Sequence, residues 1–141
     1  MSDMLDTFNI ASSGLHAQTL RLQTIATNMA NARTTRTPEG GPYQRRTVSF
    51  RAEGIDPFGD AMDRASQRVV VDDITSDTRP PLRTYDPGHP DADPDGYVSY
   101  PDINVLQEMV DLMTTNRSYE ANANVVEATR DMAMTALNIG R

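Results

Sequence analysis

Residues 9–32 read NIASSGLHAQTLRLQTIATNMANA, and this stretch decides the fold. Its only formally charged side chain is Arg21, and the other residues are small, apolar or uncharged polar. A helix that faces water normally carries a charged stripe opposite its apolar one. A helix that crosses a membrane needs about 20 mostly apolar residues, and this stretch is too polar for that. The pattern therefore predicts a helix surrounded by other protein on most sides, as in a subunit of an assembly.

Apolar side chains recur along this segment at heptad-like spacing, which predicts one helix within residues 1–32. Gly14 lies in the middle of it, where glycine costs roughly 1 kcal/mol relative to alanine, and it suggests that another backbone approaches closely. The side chains expected to pack in an assembly are Phe8, Leu15, Leu22, Ile25 and Met29.

A second long helix is predicted within residues 104–141. Asn104 and Gln107 have the spacing of a capping box, and Pro101 ends the preceding segment. Apolar residues then follow in steps of three and four, and the assembly contacts expected among them are Met109, Leu112, Tyr119, Val126 and Leu137. Two such helices from opposite ends of the chain can pair as an antiparallel or staggered coiled coil, forming one helical domain.

Residues 33–103 have a different character, since they contain all nine prolines. Short strands are predicted there, bounded by turn residues: 43–50, 68–71, 82–85 and 97–100. The predicted fold is therefore mainly α, with two long terminal helices paired as a coiled coil and a small β-hairpin-rich insertion between them.

Composition excludes several classes of function. The net charge of −7 argues against general binding of nucleic acid or an anionic membrane surface. With no cysteine, the chain has no disulfide framework, thiol nucleophile or cysteine-based metal site. The first residues contain Asp3 and Asp6 where a secretory signal would place basic residues, so we expect neither a Sec-type signal nor direct membrane insertion. A cytoplasmic location and signal-less export remain alternatives.

One loop matches a metal-binding template. Residues 91–102 contain the pattern D-x-D-x-D-G of a calcium loop, but Pro87 and Pro90 preclude the helix that should enter it. A turn leading into a strand at Tyr97 is the better interpretation. No phosphate-binding loop, G-x-S-x-G or H-E-x-x-H motif is present, so we expect no catalytic residue, no cofactor and no enzymatic activity.

Three stretches together resemble the family of flagellar rod and hook proteins. They are the small-residue helix that ends in the tetrad Asn28–Asn31, the loop at residues 85–98, and the segment at residues 117–122. The short chain resembles the proximal rod members more than the longer hook and distal-rod relatives. Met29 stands where leucine is usual in the tetrad, and Asp95 where asparagine is commoner. The residues that match the family motifs are Asn28, Ala30, Asn31, Gly96, Tyr97, Arg117, Tyr119 and Asn122.

The resemblance implies a structural subunit of the bacterial flagellar basal body. Such proteins pass unfolded and without a cleaved signal through the flagellar type III export apparatus, and polymerise in the periplasm into a shaft that transmits torque. The implied partners are other copies of the chain, neighbouring rod proteins and the export apparatus. The alternatives are another axial protein of the rod and hook type, a soluble calcium-binding module and a free coiled-coil adaptor.

Overall fold

The computed structural model describes residues 2–54 and 67–139. Helix α1 spans Ser2–Ala30, and helix α2 spans Val105–Ile139. Between them lie four strands: β1 (Arg46–Gly54), β2 (Gln67–Ser76), β3 (Leu82–Tyr85) and β4 (Tyr97–Tyr100). The 35 residues of α2 make a rod about 52 Å long at 1.5 Å per residue. Two long helices flanking a small β insertion are what the sequence predicts.

The insertion consists of two antiparallel pairs. Strands β1 and β2 pair from Arg46↔Ser76 to Gly54↔Gln67, with an irregularity between Ser49 and Phe50. Strands β3 and β4 pair along their full lengths and have the predicted bounds. Strand β1 begins three residues after the predicted start at Tyr43, because the Tyr43 backbone N–H donates to the carbonyl of Thr34 and closes a loop instead of joining a strand.

The two helices run antiparallel where they touch. Asn28 near the end of α1 donates to Glu108 near the start of α2. Gly14, in the first half of α1, lies against the Asn122 side chain, whose Nδ2 is 2.8 Å from the position of a Cβ added at Gly14. Gly14 therefore marks a close approach, as the sequence suggested, although the approaching group is a side chain.

The buried face of the helix pair differs from the predicted apolar stripe. Ile25 is buried as predicted, and small residues at Ala11 and Ala17 complete the buried apolar face of α1. On α2 the buried residues are polar: Glu108, Thr115 and Thr129. We call these α1 and α2 residues, with Gly14, Asn28 and Asn122, the inner seam.

Several of the side chains expected to pack in an assembly face solvent in the single chain. Phe8 is 45% exposed, Met109 is 43% exposed and Leu137 is 66% exposed. Tyr119 is also exposed, and the half-buried members are Leu15, Leu22, Met29, Leu112 and Val126. The buried residues of the two helices are instead mostly small or polar, as at Ala11, Ala17 and Thr115.

The start of α2 is fixed by Asn104. Its side-chain Oδ1 accepts hydrogen bonds from the backbone N–H groups of Leu106 and Gln107, as an N-cap residue does. Gln107 does not complete the predicted capping box; its side chain donates to Asp111. Neither of the two described helices is long and apolar enough to cross a membrane.

Candidate functional site

Asn28 is the centre of a buried polar cluster at the end of α1. Its side chain is 1% exposed. The amide pairs with the backbone of one residue of β1: Nδ2 donates to the Arg46 carbonyl at 2.8 Å, and Oδ1 accepts from the Arg46 N–H at 2.9 Å. Nδ2 also donates to Glu108, and Oδ1 also accepts from the Tyr43 hydroxyl. All four hydrogen-bonding positions of the amide are therefore used.

Glu108 brings α2 into the same cluster. This carboxylate is 1% exposed, so it needs partners for its charge. Oε2 accepts from Asn28 at 3.2 Å, and Oε1 accepts from Arg45 Nε at 2.7 Å. Arg45 is only partly covered and also donates to the Thr47 hydroxyl. The cluster thus ties α1, α2 and the start of β1 together through side chains that satisfy one another.

Tyr43 closes the cluster on one side. Burial raises the pKa of its hydroxyl above the usual value, Arg46 lowers it, and the neighbouring Glu108 carboxylate raises it. The neutral phenol is therefore favoured, and it donates a hydrogen bond of 3.0 Å to Asn28 Oδ1. We call Tyr43, Arg45, Asn28 and Glu108, with the Arg46 backbone, the polar hub.

The opposite side of α2 carries a cluster of exposed apolar side chains. Helical geometry places them away from the inner seam, since they are about 60° to 200° around the helix from Glu108. Their exposed fractions run from 42% at Val105 to 70% at Leu106. We call this set the outer face of α2; it consists of Val105, Leu106, Met109, Val110 and Met113.

The acidic loop before β4 is held by side chains of the chain itself. Asp91 accepts from the Thr35 hydroxyl at 2.8 Å and has Arg36 at 3.9 Å. Asp93 forms an ion pair of 3.1 Å with Arg83. Within residues 2–54 and 67–139, no group of three or more acidic, histidine or cysteine side chains is placed to hold a metal ion.

Gly96 makes the turn into β4. Its φ angle is +80°, a region that glycine reaches without the steric penalty of other residues. A Cβ here would also lie 2.9 Å from the Tyr85 ring and 3.3 Å from Pro87. Tyr85 in turn packs edge-on against Tyr97 with ring centroids 5.3 Å apart, so the turn and the short β3–β4 pair stabilise each other.

Comparison with known proteins gives consistent matches over nearly the whole chain. The family model "Flagellar basal body rod FlgEFG protein C-terminal" matches residues 95–139. The flagellar basal-body rod protein FlgC of Borreliella burgdorferi is 40% identical, covering 96% of this chain and 97% of that protein. Those of Bacillus subtilis and Escherichia coli O6:H1 are 39% and 37% identical over at least 94% of each chain.

The chain belongs to the FlgC family of flagellar basal-body rod proteins. It is a structural protein of the flagellar basal body, and its family is not an enzyme family.

In this FlgC-family chain the predicted motif residues lie in separate places. Asn28 and Asn122 both lie in the inner seam, and Gly96 and Tyr97 form the turn before β4. Asn31 follows the end of α1; its side chain donates to Thr27 and accepts from Thr34. The remaining motif residues are exposed to solvent: Ala30, Arg117 and Tyr119.

Sequence reasoning missed most of the polar hub. The sequence does not identify Glu108 and Tyr43 as partners of Asn28, or Arg45 as a partner of Glu108, because these pairs are 15 to 80 residues apart along the chain. The sequence does contain one signal for this cluster. Glu108 is an acid on a helix whose other side is apolar, and a carboxylate that is removed from water needs a hydrogen-bond donor. Four of the five outer-face residues were also not among the expected assembly contacts; Met109 was.

Proposed function

We propose that this chain is a subunit of the proximal rod and that it assembles by packing exposed helix surfaces against neighbouring subunits in coiled-coil fashion. Partners in this proposal are other copies of the chain and adjoining rod proteins. The assembled rod lies in the periplasm and transmits torque. The chain reaches it through the flagellar type III export apparatus, without a cleaved signal.

The proposal rests on which side chains of α2 are buried and which are exposed. A helix on the surface of a monomeric protein buries its apolar side and exposes its polar side. Helix α2 buries Glu108, Thr115 and Thr129 and exposes the five apolar residues of its outer face. Contiguous exposed apolar surface of this kind is typical of a protein interaction site.

The balance of buried and exposed apolar residues supports the proposal. Among the described residues the buried apolar ones are few and mostly small: Ala11, Ala17, Ile25, Val48 and Val98. Large apolar side chains stay exposed along α2, from Val105 to Leu137. Such a chain suits a protein that passes an export channel unfolded and completes its packing on assembly.

The experiment places charge on the outer face. The double substitution Leu106→Asp, Val110→Asp leaves the inner seam and the polar hub intact, so the helix content of the purified subunit should stay within experimental error. A carboxylate buried without a partner at a subunit contact costs several kcal/mol. Swimming in soft agar and recovery of the chain in isolated basal bodies should therefore be lost.

Asn124→Asp, Ala128→Asp is the matched control, since it adds the same two charges at the same spacing to exposed positions of α2 outside the outer face. It should leave motility close to that of the parent. Normal motility and normal recovery of the double variant in basal bodies would overturn the proposal that the outer face is an assembly contact.

A further inference from the structure

The α2 residues of the inner seam recur every seven positions, so more than one axial register of the α1–α2 pair is geometrically available. The buried residues Glu108, Thr115 and Thr129 are separated by multiples of seven positions, and Asn122 fills the remaining place in the series. From α1, Asn28 faces Glu108 and Gly14 faces Asn122. Because a polar residue recurs every two turns of α2, sliding the helices by one heptad again places a polar side chain of α2 opposite each of these two positions.

Two contacts between the helices, Asn28 with Glu108 and Gly14 with Asn122, belong to one register. Asn28 comes fourteen residues after Gly14, and Glu108 comes fourteen residues before Asn122, as an antiparallel pair requires. A slide of α2 by one heptad would set Asn28 against Thr115 and Gly14 against Thr129. Glu108 would then move past the end of α1 at Ala30 and lose the Asn28 donor.

The polar hub is therefore the part of the seam that distinguishes the two registers. A buried carboxylate that loses one donor is strongly destabilised, whereas an apolar replacement of both partners is tolerated. A single buried polar pair fixes register and partner choice in coiled coils for this reason. The remaining bonds of the Asn28 amide run to Arg46 and Tyr43, so the position of the β insertion on α1 is fixed by the same side chain.

We propose that the Asn28–Glu108 pair sets the axial register of the α1–α2 pair and ties that register to the β insertion. Asn28 acts here as a positioning residue. The inference concerns the single chain and does not depend on which subunits surround it, so it can fail while the proposed role in the rod holds.

Disulfide trapping tests the register, because the chain has no cysteine of its own. Two reporter pairs are introduced separately into the full chain: Gly14→Cys with Asn122→Cys for the register in the structure, and Gly14→Cys with Thr129→Cys for the slid one. A disulfide forms only where the two Cβ atoms are about 3.5–4.5 Å apart. Each pair is oxidised under mild conditions, and the fraction cross-linked is read by gel shift and mass spectrometry.

With the native hub, the 14–122 pair should form and the 14–129 pair should not. In the Asn28→Leu, Glu108→Leu background the ratio of the first to the second should fall by about tenfold or more, as expected when a coupled buried network is removed. Asn31→Leu is the matched control, since the Asn31 side chain bonds only to Thr27 and Thr34. It should keep the ratio of the parent.

Circular dichroism accompanies each variant. If the double leucine variant loses its helices, Asn28→Asp replaces it, since this change keeps the shape but places a second carboxylate against Glu108 and should lower the same ratio. An unchanged ratio in whichever folded variant is measured would overturn the proposal. So would a parent chain that forms both disulfides equally, because the seam would then have no preferred register.

Discussion

Asn28 and Asn31 are two asparagines of one tetrad, yet the structure gives them different tasks. Asn28 is buried and joins three segments that are distant along the chain. Asn31 bonds only to neighbours within four residues, at the end of α1. The same residue type thus serves tertiary packing in one case and local chain termination in the other.

We predict that the two asparagines differ in their effect on stability. Asn28→Ala leaves the Arg46 peptide and the Glu108 carboxylate with unmet hydrogen bonds in a buried place. It should lower the free energy of unfolding by about 2–4 kcal/mol. Asn31→Ala should lower it by less than about 1 kcal/mol. Urea denaturation followed by circular dichroism measures both, and equal losses would contradict the role given to the hub.

Gly96 supports a second prediction at this scale. Gly96→Val requires a β-branched residue at φ +80° and places its Cβ against the Tyr85 ring. Strain of this kind costs about 1–3 kcal/mol before any clash is counted. The melting temperature should therefore fall and motility should be impaired.

The acidic loop provides the comparison for Gly96. The Asp91→Asn, Asp93→Asn double change removes two exposed or half-buried ion pairs, which contribute little to stability. It should affect melting temperature and motility less than Gly96→Val does, and equilibrium dialysis should detect no stoichiometric calcium in the parent chain. A larger effect of the double change, with rescue by added calcium, would mean that this loop is a metal site.

At the scale of elements, strand positions were easier to predict than helix faces. Strands β3 and β4 have the predicted bounds, because Pro, Gly and Asp delimit them on both sides. The start of α2 follows from the local bonds of Asn104 to the next turn. These signals act within a few residues, so the sequence contains them directly.

Which side of each helix is buried could not be found in this way. The apolar stripe of α2 predicted a face around Met109 and Tyr119, and the chain instead buries Glu108 and Thr115. Periodicity shows that a helix has two faces, but it does not say whether the apolar one packs within the chain or against a neighbour. For Glu108 the choice depends on donors that are distant along the chain, Asn28 and Arg45.

Helix α1 should be unevenly stable in the isolated subunit. Its first half buries only small residues such as Ala11 and Ala17, whereas its end carries Ile25 and the polar hub. Because burying small side chains removes little apolar area from water, the first half gains little from packing. Hydrogen exchange should show protection at residues 25–28 and weak protection toward residue 9. Uniform strong protection across residues 9–32 of a dilute monomer would contradict folding that is completed on assembly.

At the scale of the whole molecule, polar side chains hold the two helices together, while a cluster of apolar side chains on α2 is left exposed. The hub and the inner seam define how the two helices lie together, while little apolar area is removed from water by their contact. In the proposed assembly, neighbouring subunits would cover the outer face of α2 and exposed side chains such as Phe8 and Leu137. Folding of the chain would then be coupled to its assembly.

The most direct test of this account is the accessibility of the outer face before and after assembly. Met109→Cys introduces the only thiol of the chain at a side chain that is 43% exposed in the single subunit. The variant is first shown to support swimming, and a maleimide reagent is then applied to purified subunit and to isolated basal bodies, with denatured basal bodies as the control for a free thiol. We predict rapid labelling of the subunit and labelling at least about tenfold slower in the intact basal body, since burial at a packed contact excludes the reagent. Equal labelling rates in the two states would contradict the claim that neighbouring subunits cover this face.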